Sequence, residues 1–203
     1  VGSEMCIRDR DNAATTPVPE EVIAAMAETL RHHSGNPSSQ YPYGQDGKAV
    51  AENGRETIAR ALGCPKERLF FTSCGTESDV WAIRGAVWHG RHKGRHIVTT
   101  AVEHHAVLHP MQQLEAQGFE VTYLPVDENG KIRLSDLEAA IRPDTILISV
   151  MFANNEIGTI QPIKEIGEIA KKHGVLFHTD AVQAYGQLPI NVDELHILSL
   201  IHI

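Results

Sequence analysis

The sequence TILISVM at residues 145–151 runs directly into the polar segment FANNEIGT at residues 152–159. The first segment is almost entirely aliphatic and lacks the alternation of a half-exposed strand, so it predicts a β-strand buried on both faces. Strands buried in this way are typical of parallel sheets that helices cover. The stretch therefore predicts an α/β fold.

The same pattern continues on both sides of this stretch. Short apolar segments predict further strands at residues 69–72, 97–100, 120–124 and 175–179. Helical segments are predicted between them at residues 76–88, 104–117, 135–141 and 163–173. Alternating strands and helices predict a largely parallel sheet wrapped by helices.

Two helices are predicted ahead of the first strand. Apolar residues at helical spacing follow Pro19 and stop before Gly35, and a loop with the sequence GNPSS occupies residues 35–39. A second helix is expected from about residue 45 to residue 62, where Gly63 and Pro65 end it.

Both ends of the sequence differ from its body. Residues 1–10, VGSEMCIRDR, have no helical or strand period and are interpreted as a non-native scar of sequence assembly. The apolar stretch LHILSLIHI at residues 195–203 predicts a strand without a following turn or cap, so the native chain is expected to continue.

Composition excludes several classes of partner. The 203 residues are 42% hydrophobic and carry a net charge of -8 with no run of Lys and Arg, which argues against nucleic acid and membrane surfaces. A small-molecule substrate is expected instead. Cys6, Cys64 and Cys74 are too few and too scattered for a disulfide framework, which predicts a reducing, cytoplasmic location.

Residues 73–78, SCGTES, lie between a predicted strand and a predicted helix. Backbone N–H groups, hydroxyls and the helix dipole would converge there, which suits a phosphate group. A simple helix cap, with Ser or Thr as the cap and Glu77 in the first turn, explains the same residues equally well.

His104 and His105 follow the predicted strand at residues 97–100, at the edge where open α/β sheets bind ligands. A lone histidine there is more often structural than catalytic. His105 and His109 could instead form a metal pair one helical turn apart, but the Glu-centred zinc motif is absent, so no metal is predicted.

Two further strand ends are polar. The segment at residues 152–159 supplies Asn154 and Asn155, and the strand ending near Thr179 supplies Asp180 and then Gln183. A phosphate cradle, an imidazole, an amide and a carboxylate together suit a phosphorylated heteroaromatic cofactor, and pyridoxal 5'-phosphate fits best.

At these residues the sequence resembles the cysteine desulfurases, especially the nitrogenase-associated branch, within the class V aminotransferase-like enzymes. The resemblance runs from Asp11 to about Leu200 through six ordered blocks: DNAATTP at 11–17, GNPSS at 35–39, FTSCGTESD at 71–79, EH at 103–104, ANNEIG at 153–158 and HTDAVQ at 178–183.

The resemblance implies a fold-type I transferase that uses pyridoxal phosphate. Gly75 and Thr76 would hold the phosphate, His104 would stack on the ring and shuttle protons, and Asp180 would pair with the ring nitrogen. Asn155 and Gln183 would address the phenolic oxygen. Residues 11–17 would belong to a small domain and residues 18–203 to a large cofactor-binding domain that is incomplete here.

The implied reaction converts L-cysteine to L-alanine and an enzyme persulfide for iron–sulfur clusters, in a homodimer that serves a sulfur-accepting scaffold protein. The family's cofactor-binding lysine would follow Leu200, and its nucleophilic cysteine would lie on a later loop, so neither role passes to Cys74 or to the seven lysines present. Two alternatives stay open: a selenocysteine lyase or related class V enzyme, and a noncatalytic fragment that binds cofactor weakly.

Overall fold

A computed structural model describes residues 16–197 and 199–201. The chain divides into two compact units between Leu69 and Phe70. Residues 1–15 lie outside the described part, so the proposed scar and most of the 11–17 segment are outside it too. The assignment of residues 18–203 to one large domain stays a prediction.

The first unit contains two helices, α1 (Glu20–His32) and α2 (Pro42–Leu62), and a 3-10 turn at Lys66–Arg68. The loop between the helices comes so close to α2 that a Cβ on Gly35 would stand 2.0 Å from the Tyr43 carbonyl oxygen. Ser34 and Tyr43 share a hydrogen bond of 2.6 Å across the same approach. The GNPSS segment is therefore a tightly packed loop, which explains its glycine.

The second unit alternates helices and strands, as predicted. Its elements are α3 (Gly75–Gly90), β1 (His96–Thr100), α4 (His105–Ala116), β2 (Glu120–Leu124), α5 (Leu134–Ala140), β3 (Thr145–Ser149), α6 (Ile163–His173), β4 (Leu176–Asp180) and β5 (Ser199–Ile201). Helix α6 ends at Gly174, whose φ of 64° is the left-handed conformation that glycine adopts without strain.

All the described strands pair in parallel, in the order β2-β1-β3-β4-β5. The strands are parallel, so their carboxyl ends meet along one edge of the sheet; Thr100 pairs with Leu124, and Asp180 pairs with Ile201. The largely parallel sheet is thus confirmed.

The core lies between the sheet and its helices. Every residue of β1 and β3 is buried, which requires cover on both faces of the sheet. One apolar cluster joins Ile83 of α3, Met111 of α4 and Leu147 of β3. Within the described residues, no helix has the length and apolar character needed to cross a membrane.

Two sequence expectations are wrong in detail. Residues 69–72 form no strand: Phe70 and Phe71 are exposed, and no described strand lies beside them to supply hydrogen-bond partners. The apolar stretch at 195–203 begins as a turn, with His196 at a φ of 53°, and β5 starts only at Ser199. Apolar composition alone did not distinguish these segments from paired strands.

Candidate active site

The order of the strands places a topological switch point between β1 and β3. Strand β1 lies between β2 and β3, so the chain turns to opposite sides when it leaves these two neighbouring strands. Ligands of open α/β sheets bind at this kind of switch point, outside the carboxyl ends of the strands. Two segments border it: the His104 loop, residues 101–104 after β1, and the Asn155 loop, residues 150–162 after β3.

Gly75 and Thr76 form the first turn of α3. The N–H of Ser78 is the first to bond back, to the Cys74 carbonyl at 3.2 Å, so the N–H groups of Gly75, Thr76 and Glu77 have no acceptor within the helix. The predicted Ser or Thr cap is absent, because Cys74 occupies the cap position without a side-chain bond. Glu77 instead accepts hydrogen bonds from the Ser73 N–H and hydroxyl, both at 2.7 Å.

His104 occupies the cap position of α4. Its Nδ1 accepts a hydrogen bond from the Ala106 N–H at 3.1 Å, while the side chain stays exposed. An Nδ1 that accepts a backbone N–H carries no proton, so the neutral ring has its proton on Nε2. The structural interpretation of this histidine is therefore confirmed: Nδ1 caps the helix, which leaves Nε2 as the ring nitrogen that a ligand could contact.

The two amides of the Asn155 loop have different roles. Asn154 is buried; its Nδ2 donates to the Val102 carbonyl at 3.1 Å, and its Oδ1 accepts from the N–H groups of Glu156 and Ile157 at 2.9 and 3.0 Å. Asn155 is half-buried and follows directly. Asn154 thus fixes the loop, and Asn155 is the amide that the loop presents.

Asp180 ends β4 and is buried, with an Oδ1 that accepts the Val182 N–H at 3.0 Å. Burial, and then the neighbouring carboxylate of Asp79, raise the pKa of Asp180, while His178 and His104 act in the opposite direction. The structure thereby brings Asp180 and His104 within electrostatic reach of each other. Gln183 lies three residues on and is half-buried.

A buried polar cluster behind Asp180 was not predicted as a site. His178 and Asp79 are both 1% exposed, and their Nε2 and Oδ1 atoms lie 3.4 Å apart without the alignment of a hydrogen bond. The other nitrogen of His178 pairs with the Ser149 hydroxyl at 2.9 Å. Asp79 belongs to α3, so the helix that begins at Gly75 is anchored to the strand that ends at Asp180.

Sequence spacing holds a signal for this cluster. Asp79, Ile83 and Val87 are four residues apart on α3, which puts the aspartate on the helix face that packs into the core. His178 and Asp180 are two residues apart on β4 and so point to the same side of the sheet. A titratable residue at a core position of each element, Asp79 on α3 and His178 on β4, therefore indicates a buried pair.

The remaining candidate groups are the lysines and the pair His105 and His109. Six of the seven lysines are exposed, and the seventh, Lys66, lies on the 3-10 turn and pairs with Glu56 at 2.5 Å. The rings of His105 and His109 stack with centroids 5.1 Å apart. Among the described residues, no three His, Cys, Asp or Glu side chains are grouped as metal ligands.

Known proteins give an independent comparison. The profile of the family "Aminotransferase class-V" matches residues 10–200. The "Cysteine desulfurase IscS" of Methanosarcina thermophila is 58% identical over 187 residues, which are 92% of this chain and 46% of that protein. The chain spans about half the length of the curated relatives it matches.

Solved structures agree. A "NIFS-LIKE PROTEIN" aligns with a TM-score of 0.88 at 40% identity, covering 93% of this chain and 52% of that one. The structure "SspA in complex with cysteine" aligns with a TM-score of 0.89 at 39% identity, covering 95% and 56%.

The parallel sheet, its switch point and these neighbours define a fold-type I α/β protein. The chain belongs to the class-V aminotransferase family, whose members depend on pyridoxal phosphate, and its relatives are cysteine desulfurases of the IscS and NifS type.

Proposed function

We propose that the full-length protein acts as a pyridoxal-phosphate-dependent cysteine desulfurase, converting L-cysteine to L-alanine and an enzyme-bound persulfide, and that residues 1–203 alone, without the family's lysine and nucleophilic cysteine, are inactive. The observation that carries the proposal is a buried carboxylate, Asp180, at the carboxyl edge of the sheet within electrostatic reach of the exposed imidazole of His104. The identity to cysteine desulfurases and the likeness to a protein solved with cysteine support the choice of substrate.

The residues present fit the cofactor. Three N–H groups at the start of α3 lack helical acceptors and suit a phosphate. The raised pKa of Asp180 means that burial alone disfavours its carboxylate, so a cationic ring nitrogen is the partner that would keep it ionised. Gly75 and Thr76 would thus hold the phosphate, and Asp180 the nitrogen.

The remaining residues would orient the ring and move protons. His104 would cover the ring and exchange a proton at Nε2, since Nδ1 is held by the Ala106 N–H. Asn155 and Gln183 would contact the phenolic oxygen. When bound, the cofactor supplies an electron-accepting ring for the electron pair released at the substrate's α carbon.

The wider setting follows from the same proposal. The protein would work as a homodimer in the cytoplasm and pass sulfur to a scaffold protein for iron–sulfur clusters. Support for a reducing compartment comes from Cys74, which is an exposed free thiol.

The test combines cofactor binding with turnover. Pyridoxal phosphate is titrated into the purified full-length protein, which would include the lysine and cysteine that the family places after Leu200, and binding is followed by absorbance. L-alanine formation from L-cysteine is measured in the same protein with and without Asp180→Ala. We expect saturable binding and a loss of turnover of about 100-fold or more in the variant, because a buried electrostatic partner is removed. Exposed Glu168→Gln on α6 is the control. Absence of binding, or near-normal turnover in Asp180→Ala, would contradict the proposal.

A further inference from the structure

Glu103 has an unusual set of contacts for a carboxyl group. Its side chain is 6% exposed, and a single oxygen, Oε1, accepts both the Thr100 hydroxyl at 2.7 Å and the Met151 N–H at 2.9 Å. The other oxygen, Oε2, is buried and has no hydrogen-bond partner among the described residues. A buried carboxylate would need further donors or a cation to offset its lost hydration.

The surroundings of Glu103 disfavour a negative charge further. The ionisable groups that act on it are Asp180 from β4 and Asp79 from α3, and both are acids. Burial first, and then these two carboxylates, raise the pKa of Glu103 to about 8, against the opposing hydrogen bonds from Thr100 and Met151. The unpaired Oε2 is the atom that can hold the proton.

The contacts of Glu103 join the two loops that border the switch point. Glu103 belongs to the His104 loop and directly precedes His104, whereas Met151 is the second residue of the Asn155 loop. A second link runs the opposite way, from Asn154 to the Val102 carbonyl. The side chains of Glu103 and Asn154 thus connect the loops that follow β1 and β3.

We propose that Glu103 is a positioning residue which, as a neutral carboxylic acid, ties the His104 loop to the Asn155 loop and so fixes the spacing of His104 and Asn155. This role deepens the proposed function, on which it rests, because those two residues would address the same cofactor ring. A neutral acid can do this without adding a charge beside Asp180, which must keep its own carboxylate for the ring nitrogen.

A pair of variants separates the shape of the group from its charge. Glu103→Gln keeps an acceptor for Thr100 and Met151 and is permanently neutral, whereas Glu103→Ala removes the acceptor; Glu168→Gln is the control. Two quantities are measured in each purified protein: hydrogen exchange of the Met151 amide by NMR, and the dissociation constant for pyridoxal phosphate.

We expect Glu103→Gln to match the wild type within about twofold in both quantities, and Glu103→Ala to lose about tenfold in each, the worth of one buried hydrogen bond. In the wild type alone, protection of Met151, corrected for intrinsic exchange, should fall as pH rises from 6 to 9. This pH series needs no destabilised variant.

Each result has a definite meaning. The role of Glu103 is overturned if Glu103→Gln behaves like Glu103→Ala, or if Met151 protection in Glu103→Ala, or in the wild type at pH 9, remains unchanged. If the exchange pattern holds while no protein binds pyridoxal phosphate, the link between the loops stands and the proposed function fails.

Discussion

The two ends of the same strands are built in opposite ways. At the amino ends of β1 and β3, His96 is buried between two hydroxyls: its Nδ1 pairs with Thr145 at 2.7 Å and its Nε2 with Thr122 at 2.8 Å. Beside them Arg142 bonds both Asp144, at 2.8 and 2.9 Å, and Glu120, at 2.5 Å. Burial, and then the charge of Arg142, lower the pKa of His96.

At the carboxyl ends, polar atoms remain unmatched. The buried side-chain atoms without a hydrogen-bond partner among the described residues all lie there: Asp79 Oδ1, Thr99 Oγ1, Glu103 Oε2, His178 Nε2 and Thr179 Oγ1. Buried polar groups are normally satisfied, so such a concentration is a mark of function. The amino edge is a closed structural seam, whereas the carboxyl edge contains the buried polar atoms that remain unmatched.

The sharpest test of this difference is the pH dependence of stability. Below about pH 4.5, its ordinary pKa, Glu103 is protonated in the folded and unfolded states alike. Between that value and about 8 only the folded protein keeps the proton, so unfolding releases it and the free energy of unfolding falls as pH rises. The loss is at most about 1.4 kcal/mol per pH unit, or several kcal/mol across the window.

Urea unfolding of the wild type and of Glu103→Gln at matched pH values isolates this contribution. The glutamine variant cannot ionise, so the stability difference between the two proteins should shift steadily in its favour from pH 5 to pH 8. If the free energies of unfolding of the two proteins change with pH in the same way, Glu103 ionises at its ordinary pKa and does not keep a proton in the folded state.

Breaking the buried pair behind Asp180 should have the next largest effect. Asp79→Ala leaves His178 without its acidic neighbour in a site with 1% exposure and opens a cavity under the start of α3. The cavity, together with a buried polar group that has lost its neighbour, costs roughly 2–3 kcal/mol. Chemical denaturation measures this loss, and a weaker affinity for pyridoxal phosphate should accompany it.

An isosteric Asp79→Asn serves as the companion, because it keeps the volume and removes only the charge. If Asp79→Ala proves as stable as the wild type, the contact of Asp79 with His178 contributes nothing to folding. The proposed difference in stability between the two edges would then be contradicted.

The elements that the sequence predicted well are those with a strong period of their own. Strand β2 and helix α6 match their expected bounds, because alternation and caps such as Gly174 are local signals. The strand predicted at residues 69–72 was wrong, because a strand needs a neighbouring strand for its hydrogen bonds and composition does not show whether one lies beside it.

The site divides in the same way. Asp180 directly follows a predicted strand and His104 lies four residues after another, so both could be proposed from the sequence. Glu103 and Asp79 were not proposed as site residues, although both lie inside the blocks that carry the family resemblance. Their roles depend on contacts between residues that are distant in the sequence; Glu103 and Met151, for example, are 48 residues apart. Proximity across the sheet, rather than residue type, makes them significant.

The amino edge supplies a matched test of moderate size. Thr145→Val keeps the shape of the side chain but removes the hydroxyl that pairs with His96 and accepts the Arg142 N–H at 2.7 Å. Leaving buried polar groups unsatisfied costs roughly 1–3 kcal/mol. Urea unfolding should record this loss while the affinity for pyridoxal phosphate stays at the wild-type value; a change in affinity would show that the two edges are coupled.

The smallest effect is expected from Arg142→Ala. The side chains of Arg142 and Asp144 are 40% and 41% exposed and that of Glu120 is 68% exposed, so water already screens their ion pairs. Exposed pairs add little to stability, and the midpoint of urea unfolding should stay close to that of the wild type in low and in high salt. A loss as large as that of Thr145→Val would show that surface charges, and not the buried contacts of His96, close the amino edge.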